Sequence, residues 1–274
     1  MPDRSNLSYL YDGSFEGLLC CVFESYDKKE IPPEILSQDM PQGMLFPVKE
    51  IMTDPYKSNR VLASIPSKMG APALDFIRHA FLTCLPHKER YILRFIRMGY
   101  RHGPLVMDML ADEVIHTLFE AVKHLKNESH LLKGFLRFSV FNHVLIGEIE
   151  PKNYVLPLLT QHFCQRYPEE RFLIFDRTHD MALVYQPYQP AIVAMEDLLL
   201  PEPDAEEQAF RELWRLFYDT IEVEGRHNPR CRMSHMPKRY WRFMTEFGYS
   251  RKAVPGLGYP GERELLDSGI LKKD

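Results

Sequence analysis

The N-terminal residues change from a strand pattern to a helix pattern within a few positions. Ser8 to Tyr11 predict a short strand, and Asp12-Gly13-Ser14 predicts a turn in which Asp12 or Ser14 caps the following helix. After the turn, apolar residues recur at helical spacing at Phe15, Leu18, Leu19, Val22 and Phe23. We therefore expect a strand, a turn and a capped helix at the start of the chain.

The next stretch has no regular period. Residues 31–55 are rich in Pro, Gly and Met, which is typical of a long loop. The apolar run from Arg60 to Ile65 predicts a second short strand.

Residues 72–126 show helical periodicity and predict a helical subdomain. The pattern from Pro72 to Met98 is interrupted at Pro86. Pro104 suits the first turn of the next helix. That helix carries a regular apolar stripe made of Met107, Leu110, Val114, Leu118, Ala121 and Leu125.

The period changes again after residue 135, where two hairpins alternate with helices. Leu136, Phe138 and Val140 alternate before a break at 141–143, and apolar residues then resume, which predicts a hairpin. A helix is predicted over 155–167. A second hairpin is predicted from the strands 172–175 and 181–185, which flank the turn 177–180.

A final helix is predicted from Ala205 to Ile221. Asp204 and Glu207 have the spacing of a capping box. The predicted buried stripe of this helix consists of Phe210, Leu213, Trp214, Phe217 and Ile221.

This order of elements favours an α+β fold, with a helical N-terminal half and a C-terminal half of antiparallel hairpins and helices. The sequence hairpin, helix, hairpin, helix suggests a duplicated ββα unit. We expect one domain over residues 1–246 and a C-terminal tail over 247–274.

Composition excludes several classes of protein. The chain has 274 residues, with 34 Lys and Arg against 38 Asp and Glu, so a generally basic nucleic-acid binder is excluded. No stretch approaches the roughly 18 apolar residues of a membrane helix. The five cysteines lack a Cys-x-x-Cys pair, which argues against a disulfide framework or a thiolate metal site. We expect a reduced, cytoplasmic protein without a metal or cofactor.

The near-neutral total conceals two segments of opposite charge. Residues 196–207 hold six acids and no base. Residues 226–242, here called the basic segment, hold six bases and no acid: Arg226, Arg230, Arg232, Lys238, Arg239 and Arg242. The basic segment also contains Tyr240 and Trp241.

Two interpretations of the basic segment stay open. Lys and Arg neutralise phosphates and an aromatic ring stacks on an unpaired base, so the segment suits single-stranded DNA or a flipped-out base. Alternatively, its arginines pair with the acidic run 196–207 and Trp241 belongs to the core.

A polar site is a second candidate. His162 and Arg166 lie one helical turn apart, and Asp176 ends a strand. If they converge, His162 is a proton carrier oriented by Asp176, as in an enzyme acting on nucleic acid. The alternative is a buried histidine satisfied by hydrogen bonds and an aspartate in a turn. Asp12 is either a catalytic carboxylate or a helix cap.

Scattered motifs over residues 8–246 resemble a bacterial family of proteins assigned to DNA metabolism or repair. The N-terminal motif is Tyr9-Leu10-Tyr11-Asp12-Gly13-Ser14-Phe15-Glu16-Gly17. The central motifs are Gly134–Phe138, Ile149–Lys152, Val155–Leu158, His162-Phe163 with Arg166, and Asp176 with Ala182–Tyr185. The C-terminal motifs are Asn228–Cys231 and Met236–Trp241.

The resemblance implies a role near DNA repair together with a radical-SAM protein. A domain related to this family occurs fused to a uracil-DNA-glycosylase-like domain. The resemblance assigns no catalytic residue, and the chain lacks the three-cysteine motif of a radical-SAM enzyme. The expected role is that of an accessory DNA-binding partner, and a protein-interaction scaffold is a further alternative.

Overall fold

A small parallel sheet forms at the N-terminus of the computed structural model, which describes residues 7–37, 47–196, 198, 205–220 and 237–244. Its strands are β1 (Ser8–Tyr11), β2 (Ile35–Ser37) and β3 (Val48–Glu50). β1 lies in the middle and pairs in parallel with both neighbours. The predicted strand at 8–11 is confirmed. The predicted loop over 31–55 is wrong in part, because buried Ile35 pairs with Tyr9 as part of β2.

Helix α1 (Phe15–Asp27) follows β1 through the predicted turn. Ser14 is its cap, and the Ser14 Oγ accepts a hydrogen bond from the Gly17 N–H. Asp12 holds the turn rather than the helix end, because its carboxylate accepts from Ser14 and from the Thr53 hydroxyl. A Cβ on Gly17 would lie 2.2 Å from Asp12 Oδ1, so only glycine permits this approach.

Three helices then build most of the first core. They are α2 (Pro55–Met69), α3 (Ala71–Phe81) and α4 (Lys88–His102). The strand predicted at Arg60 to Ile65 is wrong, because these residues lie inside α2, where buried Val61 and Ile65 are one helical turn apart. The predicted interruption at Pro86 is confirmed.

Helix α5 (Glu113–Phe135) joins two hydrophobic cores. The helix predicted from Pro104 is divided, because 103–108 form a 3-10 helix and Asp112 caps α5. Ile115, Leu118 and Val122 pack into the first core with β1 and α1–α4, whereas Leu125 and Leu132 pack into the second. The helices of 72–126 therefore share their core with β1, α1 and α2.

The second core lies against a five-stranded sheet of order β4-β5-β6-β7-β8. Its elements are β4 (Ser139–Phe141), β5 (Val144–Ile149), α6 (Leu156–Arg166), β6 (Phe172–Asp176), β7 (Met181–Gln186) and β8 (Gln189–Ala194). Both predicted hairpins and the helix between them are confirmed. The sheet is mixed rather than antiparallel, because α6 carries the chain across so that β5 and β6 run in parallel.

Helix α7 (Ala205–Thr220) is confirmed, but three residues of its predicted buried stripe are exposed, while the side chain of Phe217 and the residue Ile221 lie outside what the structure describes. Phe210 and Leu213 are each 62% exposed, and Trp214 is 40% exposed. Glu207 contacts the β4 edge, where its carboxylate accepts from the Val140 N–H. The two predicted ββα units are therefore not equivalent, since α6 buries Leu159 and Phe163 under the sheet and the second unit adds β8.

A short 3-10 helix, Lys238–Phe243, completes the described residues and is called here the C-terminal 3-10 helix. Tyr240 and Met244 are buried in the second core. The α+β class is confirmed. The tail predicted at 247–274 lies outside the described residues, so the boundary at residue 246 stays a prediction.

Candidate functional site

Two loops meet where the parallel strands β5 and β6 end. Ile149, the last residue of β5, is opposite Asp176, the last residue of β6. The loop 150–155 follows β5 and the turn 177–180 follows β6, and the Arg177 N–H donates to the Ile149 carbonyl. Ligands of sheets with parallel strands bind outside the carboxyl ends of those strands. We call this region the carboxyl edge.

The C-terminal 3-10 helix lies beside the carboxyl edge. The ring of Tyr240 packs against Phe135 of α5, with centroids 5.7 Å apart. Between this helix, α5 and β5 is a shallow depression lined by Leu132, Phe135, Glu148, Glu150, Arg239 and Phe243. The described end of the basic segment, from Lys238 to Arg242, and the carboxyl edge are therefore neighbouring parts of one surface.

Buried Glu128 connects this surface to three separate parts of the chain. Its carboxylate accepts from the backbone N–H of Lys152 and from the backbone and side-chain amides of Asn153. Arg239 Nη2 lies 3.1 Å from its Oε1. The Asn153 Oδ1 in turn accepts from the Cys84 N–H. The network fixes the loop 150–155 and holds the C-terminal 3-10 helix through Arg239.

The described bases of the basic segment differ in their partners. Arg239 pairs with buried Glu128. Arg242 Nη1 lies 3.4 Å from Glu150 Oε2, and the side chains of Arg242 and Glu150 are largely exposed. Lys238 lies over the Trp241 ring at 6.0 Å from its centroid. Arg226, Arg230 and Arg232 lie outside the described residues.

The described residues test the alternative interpretation of the basic segment only in part, because Arg226, Arg230 and Arg232 lie outside them. Among the described residues, Arg239 pairs with Glu128 and Arg242 pairs with Glu150, and several acids of the run 196–207 lie outside those residues. Tyr240 is buried in the second core, and Trp241 is half-buried and packs against the same core, as the alternative interpretation expects in part. Burial raises the pKa of Tyr240 although the Arg239 hydrogen bond opposes that shift, so Tyr240 stays a neutral anchor.

Asp176 is buried completely and orients a histidine that the sequence did not single out. Its carboxylate accepts from the backbone N–H groups of Thr178 and His179. The second oxygen lies 2.7 Å from His179 Nδ1, and the edge of the Tyr154 ring packs against the imidazole. Asp176 and His179 form a carboxylate–imidazole pair at the carboxyl edge, with His179 partly exposed.

His162 and Arg166 lie on α6 and do not share this arrangement. The His162 Nε2 is buried without a hydrogen-bond partner among the described residues. Burial lowers the pKa of His162, and the nearby charges of Lys133 and Arg166 lower it further. Arg166 donates to the Tyr167 hydroxyl. Hydrogen bonding thus brings Asp176 to His179, and none joins it to His162 in the described structure.

Asp12 lies in the turn directly after β1, in a different part of the molecule. Partial burial raises the pKa of its carboxyl, but the hydrogen bonds from Thr53 and Ser14 outweigh burial, so the net shift of the pKa is downward. An ionised carboxylate that accepts three hydrogen bonds in a turn suits a structural role.

Glu128, Glu150 and His179 are the residues that sequence reasoning missed. Glu128 carried a usable signal, because it is a lone carboxylate between the buried positions Leu125 and Leu132 of α5. A buried carboxylate requires a cation or several donors. His179 lies three residues after Asp176, but only the geometry of the turn brings the two side chains together.

Neither a metal site nor a membrane span is found in the part of the chain that the structure describes. No group of three or more His, Cys, Asp or Glu side chains in that part is placed to hold a metal ion. Among the described helices, none has both the length and the apolar content needed to cross a membrane.

A match to a known protein family covers more than half of the chain. A family model described as a domain of unknown function, DUF4130, matches residues 86–246. The matched range begins just before α4 and includes α5, the five-stranded sheet, α6 and the C-terminal 3-10 helix. Comparison with curated proteins finds no match.

Proposed function

The chain belongs to the DUF4130 family of domains of unknown function, and since that description assigns no activity, we propose a function from the site itself. The proposed function is nucleic-acid binding through the basic segment, as an accessory protein of DNA metabolism or repair. The proposed ligand is single-stranded DNA or an unpaired base.

The observation that supports this proposal is that the C-terminal 3-10 helix is anchored in the second core by apolar side chains. Tyr240 and Met244 are buried in the second core, while Lys238 and Arg242 lie at the surface. Anchoring a short helix by two apolar side chains fixes the backbone from which its charged side chains extend. Fixed cations bind phosphates with less loss of conformational entropy than mobile ones.

The bases have different expected roles in binding. Arg239 is held by Glu128, which three other donors also satisfy, so Arg239 positions the helix. Arg242 and Glu150 form an exposed pair, and exposed ion pairs contribute only about 0–1 kcal/mol. A phosphate therefore displaces Glu150 from Arg242 at little cost, and Lys238 supplies the second cation.

Aromatic rings beside these cations favour a single strand over a duplex. Trp241 is half-buried next to Lys238, and the Arg242 guanidinium lies 5.3 Å from the centroid of Phe243. Rings stack on bases only where the bases are unpaired, and each stacked base contributes about 1–3 kcal/mol. We expect single-stranded DNA to bind more tightly than a duplex of the same sequence.

The test is a binding measurement at several salt concentrations. Fluorescence anisotropy of labelled single- and double-stranded oligonucleotides is compared for the full chain and Lys238→Gln/Arg242→Gln. Each lost phosphate contact reduces the slope of log K against log salt by about one. The matched control is Arg90→Gln/Arg94→Gln, which removes the same charge from exposed positions on α4.

Binding that is undetectable at about 50 mM salt, where phosphate contacts are strong, contradicts the proposal. So does binding that Lys238→Gln/Arg242→Gln and the control weaken equally, because that result reports net charge alone. A radical-SAM partner is proposed from the family resemblance. Co-purification that survives nuclease treatment supports a direct protein contact, and loss of the partner on nuclease treatment contradicts it.

The Asp176–His179 pair favours a second candidate function, an enzyme acting on nucleic acid. A buried carboxylate that bonds one imidazole nitrogen leaves the other to exchange a proton with a ligand. His179→Gln tests this candidate in the full chain incubated with a labelled single-stranded oligonucleotide. Cleavage or base release that His179→Gln abolishes, with DNA affinity unchanged, supports it, and an absence of product from the unsubstituted chain contradicts it.

A further inference from the structure

Strand β8 forms one edge of the five-stranded sheet and pairs only with β7 among the described residues. Its sequence, Gln-Pro-Ala-Ile-Val-Ala over 189–194, contains no charged side chain. All its residues except Ile192 are exposed. An uncharged edge strand is unusual, because charges normally protect an open edge from pairing with another strand.

The register shows which backbone groups of β8 face outward. Gln186 and Gln189 flank a two-residue turn and oppose each other, so they form the first hydrogen-bonded pair. Bonded and non-bonded pairs alternate along an antiparallel ladder. Ala191 and Val193 therefore bond to β7, and the Met195 N–H continues this series by donating to the Asp180 carbonyl.

Pro190, Ile192 and Ala194 consequently direct their backbone groups away from β7. Proline has no N–H, and an N–H at position 190 would point away from β7. Pro190 therefore removes no hydrogen bond from the β7–β8 ladder. The outward N–H groups of Ile192 and Ala194 remain, together with the carbonyls of all three residues.

We propose that this edge pairs with β8 of a second copy of the chain. The two strands run antiparallel about a two-fold axis at Ile192, so that the sheets join into one of ten strands. The two Ile192 residues exchange a reciprocal pair of hydrogen bonds. Each Ala194 N–H donates to the Pro190 carbonyl of the other copy, and because proline has no N–H, the Ala194 carbonyl receives no bond in return.

The absence of charge permits β8 to pair with a second copy of itself. In a two-fold pair each strand meets its own sequence, and like charges placed opposite each other would repel. In this register Ala191 opposes Val193 of the other copy, and both are uncharged and exposed. One strand pair buries less than the roughly 1,000 Å² of a stable interface, so the dimer is weak and concentration-dependent.

Charge-pattern variants test the proposal directly. Sedimentation velocity of the unsubstituted full chain is expected to show a reversible monomer–dimer equilibrium. Ala191→Lys/Val193→Lys places lysines opposite lysines and raises the dimer dissociation constant at least tenfold. Ala191→Glu/Val193→Glu also raises the dimer dissociation constant, because glutamates oppose glutamates. An equimolar mixture of the lysine and glutamate variants restores a dimer that contains one chain of each.

Two further variants separate pairing from misfolding and from net charge. Gln161→Lys/Gln165→Lys adds the same charge at exposed positions of α6 and leaves dimerisation unchanged. Ala191→Cys/Val193→Cys forms intermolecular disulfides under mild oxidation, because opposed Cα atoms of such a pair lie about 4.5 Å apart.

Three results overturn the proposal. One is a chain that sediments as a monomer at every concentration, which would leave the edge to a strand of another protein. Another is a lysine–glutamate mixture that does not dimerise although both variants have the circular dichroism spectrum of the unsubstituted chain. The third is a cysteine variant that forms no more cross-linked dimer than the unsubstituted chain. DNA binding is not part of this test, so the two proposals fail independently.

Discussion

Arg239 of the basic segment forms an ion pair with the buried carboxylate of Glu128, with 3.1 Å between Arg239 Nη2 and Glu128 Oε1. Glu128 is 3% exposed and lies on α5, far from Arg239 in sequence. The pair is asymmetric, since Glu128 also accepts three hydrogen bonds from Lys152 and Asn153 whereas Arg239 is partly in solvent. Glu128 therefore matters more to the fold than Arg239.

Glu128→Gln is expected to reduce the free energy of unfolding by about 2–3 kcal/mol, because an amide nitrogen replaces one buried acceptor and leaves donors unpaired. Arg239→Gln is expected to cost about 1 kcal/mol or less, because Glu128 keeps its other donors and the guanidinium is partly solvated. Urea unfolding of both variants measures the difference. Equal losses would show that the ion pair alone, rather than the network, holds Glu128.

Glu150 is expected to compete with DNA for Arg242. Removing the carboxylate with Glu150→Gln frees Arg242, and an exposed pair of about 0–1 kcal/mol corresponds to an affinity gain of up to about fivefold. Anisotropy titration with a single-stranded oligonucleotide measures the gain. Glu170→Gln is the control, because it removes one negative charge just before β6 begins, at the end of that strand opposite the carboxyl edge. A gain of the same size in both variants would contradict the competition.

Gly17 is expected to tolerate no side chain. In Gly17→Ala the new Cβ would meet Asp12 Oδ1 at 2.2 Å and Thr53 Oγ1 at 3.0 Å, so the turn must shift at a cost of about 1–3 kcal/mol. Gly134→Ala on α5 is the control, because nothing lies within 4 Å of its Cβ. That control is expected to be neutral or to stabilise by up to about 1 kcal/mol. Urea midpoints that fall equally would refute the steric reason.

His162 is expected to make stability depend on pH below its ordinary pKa of 6.5. Because burial, Lys133 and Arg166 lower the pKa of the folded state, the unfolded chain binds the proton more readily. This contribution is fully present above pH 6.5 and is lost as the pH falls towards the lower pKa of the folded state. His162→Gln should flatten the stability profile below pH 6.5. An unchanged slope would show that His162 does not cause it.

Helices and hairpins were predictable from the sequence because their signals are local. Asn142 and His143 both have positive φ, as a two-residue hairpin turn requires, and the break at 141–143 marked that turn. The helix over α6 was recognisable because its apolar positions and its first-turn proline agree. The residue spacing within such elements predicts them without information about the distant residues that they contact.

The elements that depend on distant residues were not predictable. Strands β2 and β3 are only three residues long each, and their parallel pairing with β1 joins segments far apart in sequence. Arg60 to Ile65 has apolar residues that suit a strand or a helix, and the packing of α2 decides for the helix. Strand β8 was missed because Pro190 obscures its pattern.

The candidate site was predictable in its basic residues but not in their acidic partners. Lys238, Arg239 and Arg242 form a contiguous sequence signal, whereas Glu128 and Glu150 come from elements that meet them only in the folded chain. The same reason explains why Asp176 was assigned to His162 rather than to His179. Sequence spacing identifies candidate groups, and only tertiary contacts determine which of them act as pairs.

The second core closes with side chains from Tyr240 and Met244. During synthesis on a ribosome, α5 and the whole five-stranded sheet emerge before those residues do. Glu128 and the apolar surface around it therefore remain incompletely covered until the end of the basic segment has been translated. A nascent chain halted before residue 237 would lack Tyr240 and Met244 and would expose that surface to chaperones.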